Sequence, residues 1–259
     1  MKHQSSDPPA SRGFTLLEVL VSMVVGLGVI LVMMNTLLMG TRGYDASTRR
    51  IDALVEARAA MTVLADDVAT MLGTSTKQFG FEENDGRFQE IWFATLKPES
   101  AQDPEKAVGD ICIVQYFTAV TEDAPITDST VSRKLYRRLW SSGDLTAYLR
   151  NGSLPLLTPN PDEAEAIAFN VTRFVVQPMV SMGEGQPMGV WSLGNGTPAA
   201  LEVSFQVVDD DTAGLFRSEE DWDLTSDLAT ELILEDDFTE SRRGRDFSMK
   251  LKIGHANSL

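Results

Sequence analysis

A single acid, Glu18, interrupts an apolar run that extends from Phe14 to Met39. A carboxylate in a segment fit for lipid is costly, and such groups usually serve a function. A helix over these residues rises about 39 Å at about 1.5 Å per residue, enough to cross a hydrocarbon core of about 30 Å with some tilt. Gly26 and Gly28 lower helix propensity inside it, which a membrane tolerates but which also permits local unwinding. Glu18 is therefore read as a functional residue. A plain signal anchor is the simpler alternative.

The thirteen residues before Phe14 are polar, with Lys2 and Arg12 set against Asp7, and they lack the apolar core of a secretory signal. The apolar region instead follows the expected cleavage point, so cutting after Gly13 leaves the membrane segment on the product. That product starts at Phe14, has 246 residues, and changes formal charge from −16 to −17 because Lys2, Arg12 and Asp7 are removed. A positive leader before the span and an acidic bulk after it place the N-terminus in the cytoplasm and the C-terminal head in the periplasm.

Beyond Gly40 the periodicity predicts an amphipathic continuation of the helix, with Ile51, Leu54, Val55, Ala59, Val63, Leu64, Val68, Met71 and Leu72 on its apolar side. Arg49, Arg50, Asp52, Glu56, Arg58, Asp66 and Asp67 fall mostly on the other face, Gly43 is a place to bend, and Gly73 ends the helix. The rest reads as strands between turns: Phe88 to Leu96, Asp110 to Thr118, Lys134 to Trp140, Ile167 to Val180, a short one around Trp191, Leu201 to Val208, and Phe247 to Ile253. Between the last two, the acidic stretch Asp209 to Asp237 carries Trp222, Leu224, Leu228, Leu232 and Ile233, which predict one short helix. The expected organisation is a leader over 1–13, a transmembrane half-helix over 14–39, an amphipathic half over 40–72 and a β-rich head over 73–259.

Charge and composition narrow the function. An excess of 38 Asp and Glu over 22 Lys and Arg argues against nucleic acid as the partner, since affinity for phosphate backbones comes from clustered cations. Cys112 is the only cysteine, which excludes an intrachain disulfide and a cysteine-based metal centre, and its apolar setting reads as core. His3 leaves with the leader and His255 stands near the C-terminus, so a histidine-based catalytic or metal site has almost no material. Gly183-Glu184-Gly185 lacks the third glycine of a dinucleotide loop. The acidic runs Asp209 to Asp211, Glu219 to Asp221 and Glu235 to Asp237 offer oxygens of the kind Ca²⁺ takes, but their spacing matches no EF-hand, and a solvated acidic face is the simpler reading. No catalysis and no cofactor are expected.

Arg12-Gly13-Phe14-Thr15-Leu16-Leu17-Glu18-Val19-Leu20 resembles the prepilin-type cleavage and methylation motif of type IV pilins and of the pseudopilins of type II secretion. The resemblance implies a prepilin peptidase that cuts after Gly13 and methylates the new amino terminus at Phe14. It gives Glu18 the role of pairing with a neighbour's terminal ammonium, and it makes other pilins or pseudopilins, an inner-membrane assembly platform and membrane lipid the partners. Physically the pairing is sound: a buried carboxylate and ammonium each cost several kcal/mol to desolvate, a cost partly recovered when they meet. Each subunit carries both halves, so the contact is head-to-tail and propagates. Some pseudopilins bind calcium in a loop, which keeps Ca²⁺ open as a ligand.

The head is similar, at scattered positions, to J-type minor pseudopilins and W-type minor pilins: Asp67 after the long helix, Lys134-Leu135-Tyr136-Arg137-Arg138, Val171 to Phe174 followed by Trp191, Pro198 to Val203, and Arg245-Asp246-Phe247. It also resembles the C or D members of the pilin-like cassette proteins of Verrucomicrobia. The implied fold is α+β, a long N-terminal helix packed on an antiparallel sheet. The implied function is that of a minor pilin or pseudopilin that joins or primes a filament for a type IV pilus or type II secretion. The rival expectation is a membrane-anchored binding protein whose head captures a ligand, a secretion substrate or DNA, through aromatics on the loops from Gly183 to Gly196.

Overall fold

The computed structural model describes residues 15–72, 79–84, 88–122, 131–151, 158–180, 188–190, 198–233 and 244–253. The chain divides into two units, Met1–Thr48 and Arg49–Leu259. Helix α1, Leu16–Ala69, starts in the first and ends in the second. It is continuous through Gly26, Gly28 and Gly43, so the unwinding permitted at the first two does not occur. It stops at Ala69, ahead of Gly73, which lies outside the described residues. The stop has a local cause. Met71 forms a bridge with Thr95, the Leu72 amide donates to Ala94 O at 2.8 Å, and the Leu96 amide donates to Thr70 O at 3.1 Å, so the backbone leaves the helix to pair with a strand.

The head is an α+β arrangement built on strands β1 (Phe79–Asn84), β2 (Phe88–Leu96), β3 (Ile111–Thr121), β4 (Ser132–Trp140), β5 (Glu165–Ala168), β6 (Val171–Val180), β7 (Gly189–Val190), β8 (Ala200–Val208) and β9 (Gly244–Lys252). The main order is β5-β4-β3-β2-β6-β8-β9, with β1 on β2 and β7 on β6. Every pairing is antiparallel except that of β2 with β6, which consists of one parallel pair, Phe88 and Phe174, among the described residues. Helix α2 (Ser142–Asn151) follows β4, and its Leu145 packs with Ile113, Trp92 and Trp140.

Two expectations change here. The single strand expected over Ile167 to Val180 is divided into β5 and β6 by Phe169 and Asn170, because Asn170 takes a left-handed conformation with φ 54°. The turn is tied on three sides: Asn170 O accepts from the Val208 amide at 3.0 Å, its Nδ2 donates to Asp210 at 2.8 Å, and its Oδ1 accepts from the Ser132 hydroxyl at 3.2 Å. The one helix expected in the acidic stretch is three: α3 (Asp210–Ala213), α4 (Glu219–Trp222) and α5 (Asp227–Ile233). They enclose a small core of their own around Phe216, Trp222, Leu224, Ala229 and Ile233.

The main core lies between the last turns of α1 and the sheet. From the helix come Ala57, Ala60, Met61, Leu64, Val68 and Met71; from the sheet come residues such as Phe93, Tyr116, Leu135, Phe174, Val203 and Phe205. The helix is therefore turned relative to the expected apolar side. Ile51, Val55, Ala59 and Val63 are exposed, Val55 by 61%, whereas Asp67 is buried at 1%. The buried Asp67 is met there by Arg137 on β4 and by Lys97 just after β2.

Candidate functional site

Gly13 and Phe14 lie outside the described residues; the description begins at Thr15. Thr15 caps α1. Its hydroxyl accepts the Glu18 amide at 3.3 Å, while its carbonyl accepts the Glu18 and Val19 amides at 3.0 and 3.2 Å. Thr15-Leu16-Leu17-Glu18 has the spacing of a capping box, which fixes the start of the helix and sets Glu18 in the first turn, where the helix dipole favours a negative charge. Among the described residues nothing bonds the Glu18 carboxylate, and the residue is exposed. The Ser22 hydroxyl donates to Glu18 O at 2.7 Å. The site thus offers one unpaired anion at the start of an apolar rod.

The stretch Leu16–Tyr44, 29 residues at mean hydropathy 2.6, is long and apolar enough to cross a membrane by length and composition. Its large side chains, from Leu16 to Met39, are exposed. The span is consistent with a membrane anchor.

Residues 9–34 match the family described as the prokaryotic N-terminal methylation motif. The match supports a type IV pilin-like family, and it implies processing by a prepilin peptidase and association with other pilins. It covers Gly13, Phe14 and Glu18, the three residues singled out for cleavage, methylation and assembly. No curated protein matches the chain.

In the head, two of the groups singled out in the sequence meet. The Asp67 carboxylate accepts from Arg137 Nε at 2.7 Å and Nη2 at 3.2 Å, from Lys97 Nζ at 2.6 Å and from Tyr116 Oη at 2.5 Å. Burial alone would push the Asp67 carboxyl up, but the bonds from Arg137, Lys97 and Tyr116 outweigh it and hold the group below the ordinary carboxylate range. Burial and the Asp67 charge together push the Tyr116 phenol well up, so it is a neutral donor. Two cations around one carboxylate are also matched to position: Asp67 stands in the last turn of α1, where the helix dipole is negative and repels an anion. Sequence reasoning found Asp67 and Arg137 but missed Lys97 and Tyr116, which no local pattern joins to them.

The acids considered for Ca²⁺ have other employment. Asp209 Oδ1 caps α3 by accepting the Thr212 amide at 2.9 Å, and Asp210 accepts from Asn170. Asp221 Oδ2 accepts from the Arg217 and Ser218 amides at 2.9 and 3.1 Å in a full capping box at α4. Among the described residues no group of three or more His, Cys, Asp or Glu side chains is placed to hold a metal ion. Glu235 to Asp237, His255, Trp191 and Gly183 to Gly185 lie outside the described residues. Cys112 is buried on β3, and burial pushes its thiol up to about 11.

Proposed function

We propose that this chain is a minor pilin or pseudopilin, a filament subunit whose mechanism is assembly rather than catalysis. The observation that carries the reading is Glu18: an exposed carboxylate with no bond among the described residues, in the capped first turn of an apolar helix, inside a segment that matches the methylation motif. On this reading the peptidase cuts after Gly13, Phe14 is methylated, and Glu18 of one subunit pairs with the terminal ammonium of its neighbour while the apolar helices pack together. The N-terminus starts in the cytoplasm and the head faces the periplasm. The inner-membrane platform and membrane lipid complete the set of partners, and neither a cofactor nor nucleic acid is required.

The head's scattered likeness to J-type pseudopilins, W-type pilins and the Verrucomicrobia cassette proteins supports a low-copy tip or priming role in a secretion or pilus filament. Intact mass and N-terminal sequencing of the protein from its native membrane test the processing step. A chain that begins with N-methylated Phe14 is the expected result, and an uncut leader would reduce the motif to a signal anchor. Assembly is tested separately with Glu18→Val, which is expected to be cleaved normally yet to be missing from sheared filaments. Incorporation at the level of the unchanged protein would sink the pairing.

A further inference from the structure

The main path of the sheet ends on one side in β5 and on the other in β9. β5 is a blunted edge, with four residues and a register shift against β4. β9 has nine residues, no proline, and an unbroken register on β8 from Gly244 to Lys252. The Ile253 amide donates to Ala199 O at 3.0 Å, so Ile253 turns its N–H toward β8. Along an antiparallel strand that direction alternates, and the backbone groups of Asp246, Ser248, Lys250 and Lys252 therefore point away from the sheet. Among the described residues nothing bonds to these backbone groups.

The side chains along this edge are divided by chemistry. Phe247, Met249 and Leu251 face the core but are only half-buried, whereas Leu201, Val203 and Phe205 on β8 are at 0% exposure. The apolar filling thus runs out at β9, and one more strand beside it would cover the rest of these three side chains. Asp246, Ser248, Lys250 and Lys252 are exposed on the opposite face. Asp246 accepts from Gln206 Nε2 at 3.0 Å. Lys250 stands across from Glu202, yet neither it nor Lys252 is in an ion pair among the described residues. Lysine on an edge strand commonly discourages pairing. Here both lysines stand over the solvent face and leave the backbone and the apolar side open, so they select the charge of what pairs.

A second copy of the chain suits this edge poorly. Parallel pairing of two β9 strands sets Lys250 and Lys252 beside their own counterparts, which is unfavourable. Antiparallel pairing relates the copies by a two-fold axis normal to the sheet, so the head portions of their α1 helices run in opposite directions. That arrangement does not suit two chains anchored by those helices in one membrane.

We propose that the outward edge of β9 docks an extended segment of another protein, which adds a strand to the sheet. The segment places aliphatic side chains beside Phe247, Met249 and Leu251 and carboxylates beside Lys250 and Lys252.

The test uses the full chain in detergent micelles and a labelled seven-residue peptide that alternates valine with glutamate, read by fluorescence anisotropy. Saturable binding is expected, with new hydrogen-exchange protection at the Ser248 and Lys250 amides. N-methylation of alternate peptide amides should weaken it at least ~10-fold, because a ladder needs those donors. Ser248→Pro should do the same with the thermal midpoint kept, since the donor it removes points outward. Lys250→Glu with Lys252→Glu, which leaves the backbone alone, should shift preference about 10-fold toward a peptide with lysine in place of glutamate. No saturable binding up to about 1 mM overturns the proposal. So does binding that neither N-methylation nor the charge reversal changes, because the peptide would then sit elsewhere. A dimer in micelles that Ser248→Pro dissociates would overturn it as well, by showing that a second copy occupies the edge.

Discussion

The phenol of Tyr116 donates to the carboxylate of Asp67 over 2.5 Å, joining the middle of β3 to the last turn of α1 across 49 residues of sequence. With Arg137 and Lys97 it turns a carboxylate that burial should expel into a fixed point of the core. Asp67→Ala removes the anion and leaves two cations facing an apolar interior, so it is expected to cost about 3–5 kcal/mol. Tyr116→Phe deletes one bond to a charged group and should cost about 1.5–3 kcal/mol. Urea unfolding of the two variants gives the order, and equal losses would show that the phenol, not the cations, keeps the site stable.

Acid should weaken the head through Asp67. Its folded carboxyl titrates below the unfolded value of about 3.9, so the stability it contributes is present above that pH and is lost as pH falls through the folded value. Glu56 has the opposite sign: burial raises it, the Phe169 amide lowers it in part, and the nearby Asp210 charge raises it. Its folded state holds a proton more tightly, so its contribution is full at low pH and is lost as pH rises through the folded value. Glu56→Gln is therefore expected to steepen the acid limb of a stability–pH curve, and Asp67→Asn to flatten it. A curve that both variants leave unchanged would remove both assignments.

Gly143, in the first turn of α2, has no room for a side chain. A Cβ there would stand 2.5 Å from Lys106 O, a backbone atom that accepts the Gly143 amide at 2.9 Å. Gly143→Ala is expected to cost about 1–3 kcal/mol. The loss should appear in hydrogen exchange at the Val108 and Gly109 amides, which donate to the Ser142 hydroxyl at 2.8 and 3.0 Å. Protection at those amides equal to that of the unchanged protein would show that the loop absorbs the methyl group.

Trp222 holds the insertion of α3 to α5 together. Its ring meets Phe216 edge-on at 4.9 Å, its indole N–H donates to Val131 O at 3.2 Å, and the neighbouring Asp223 pairs with Arg133. Trp222→Ala should cost about 3–5 kcal/mol within this small core. Limited proteolysis is expected to cut first between residues 209 and 233 while the main core resists. Simultaneous loss of both would show one cooperative unit instead of two.

Strands were legible in the sequence where alternation was clean. Phe88 to Leu96 is β2 without adjustment, and Leu201 to Val208 falls one residue short of β8. β1 was missed because Gly80 argues against a strand, yet the glycine is required there: a Cβ would collide with the Trp92 ring at 2.4 Å. α2 was missed because it is short and carries Gly143 at its start. The face of α1 was misjudged for a deeper reason. The helix has more apolar positions than one face can bury, and Asp67, an acid on the buried side, is partnered by residues 97, 116 and 137, which only the fold assembles. The assembly segment differs in being local: Gly13, Phe14, Thr15 and Glu18 lie within six residues, so a linear pattern carries the site.

Among the described residues a single parallel pair, Phe88 with Phe174, joins the two halves of the sheet, which therefore resembles a book with a very thin spine. One leaf is β1 to β5 and the other is β6 to β9, each stitched by its own antiparallel ladder. What binds the leaves is shared filling, since Phe93, Tyr116 and Leu135 on one and Phe174, Val203 and Phe205 on the other lie in the same core with α1. A defect in a ladder is therefore felt by one leaf, whereas a defect in the filling is felt by both.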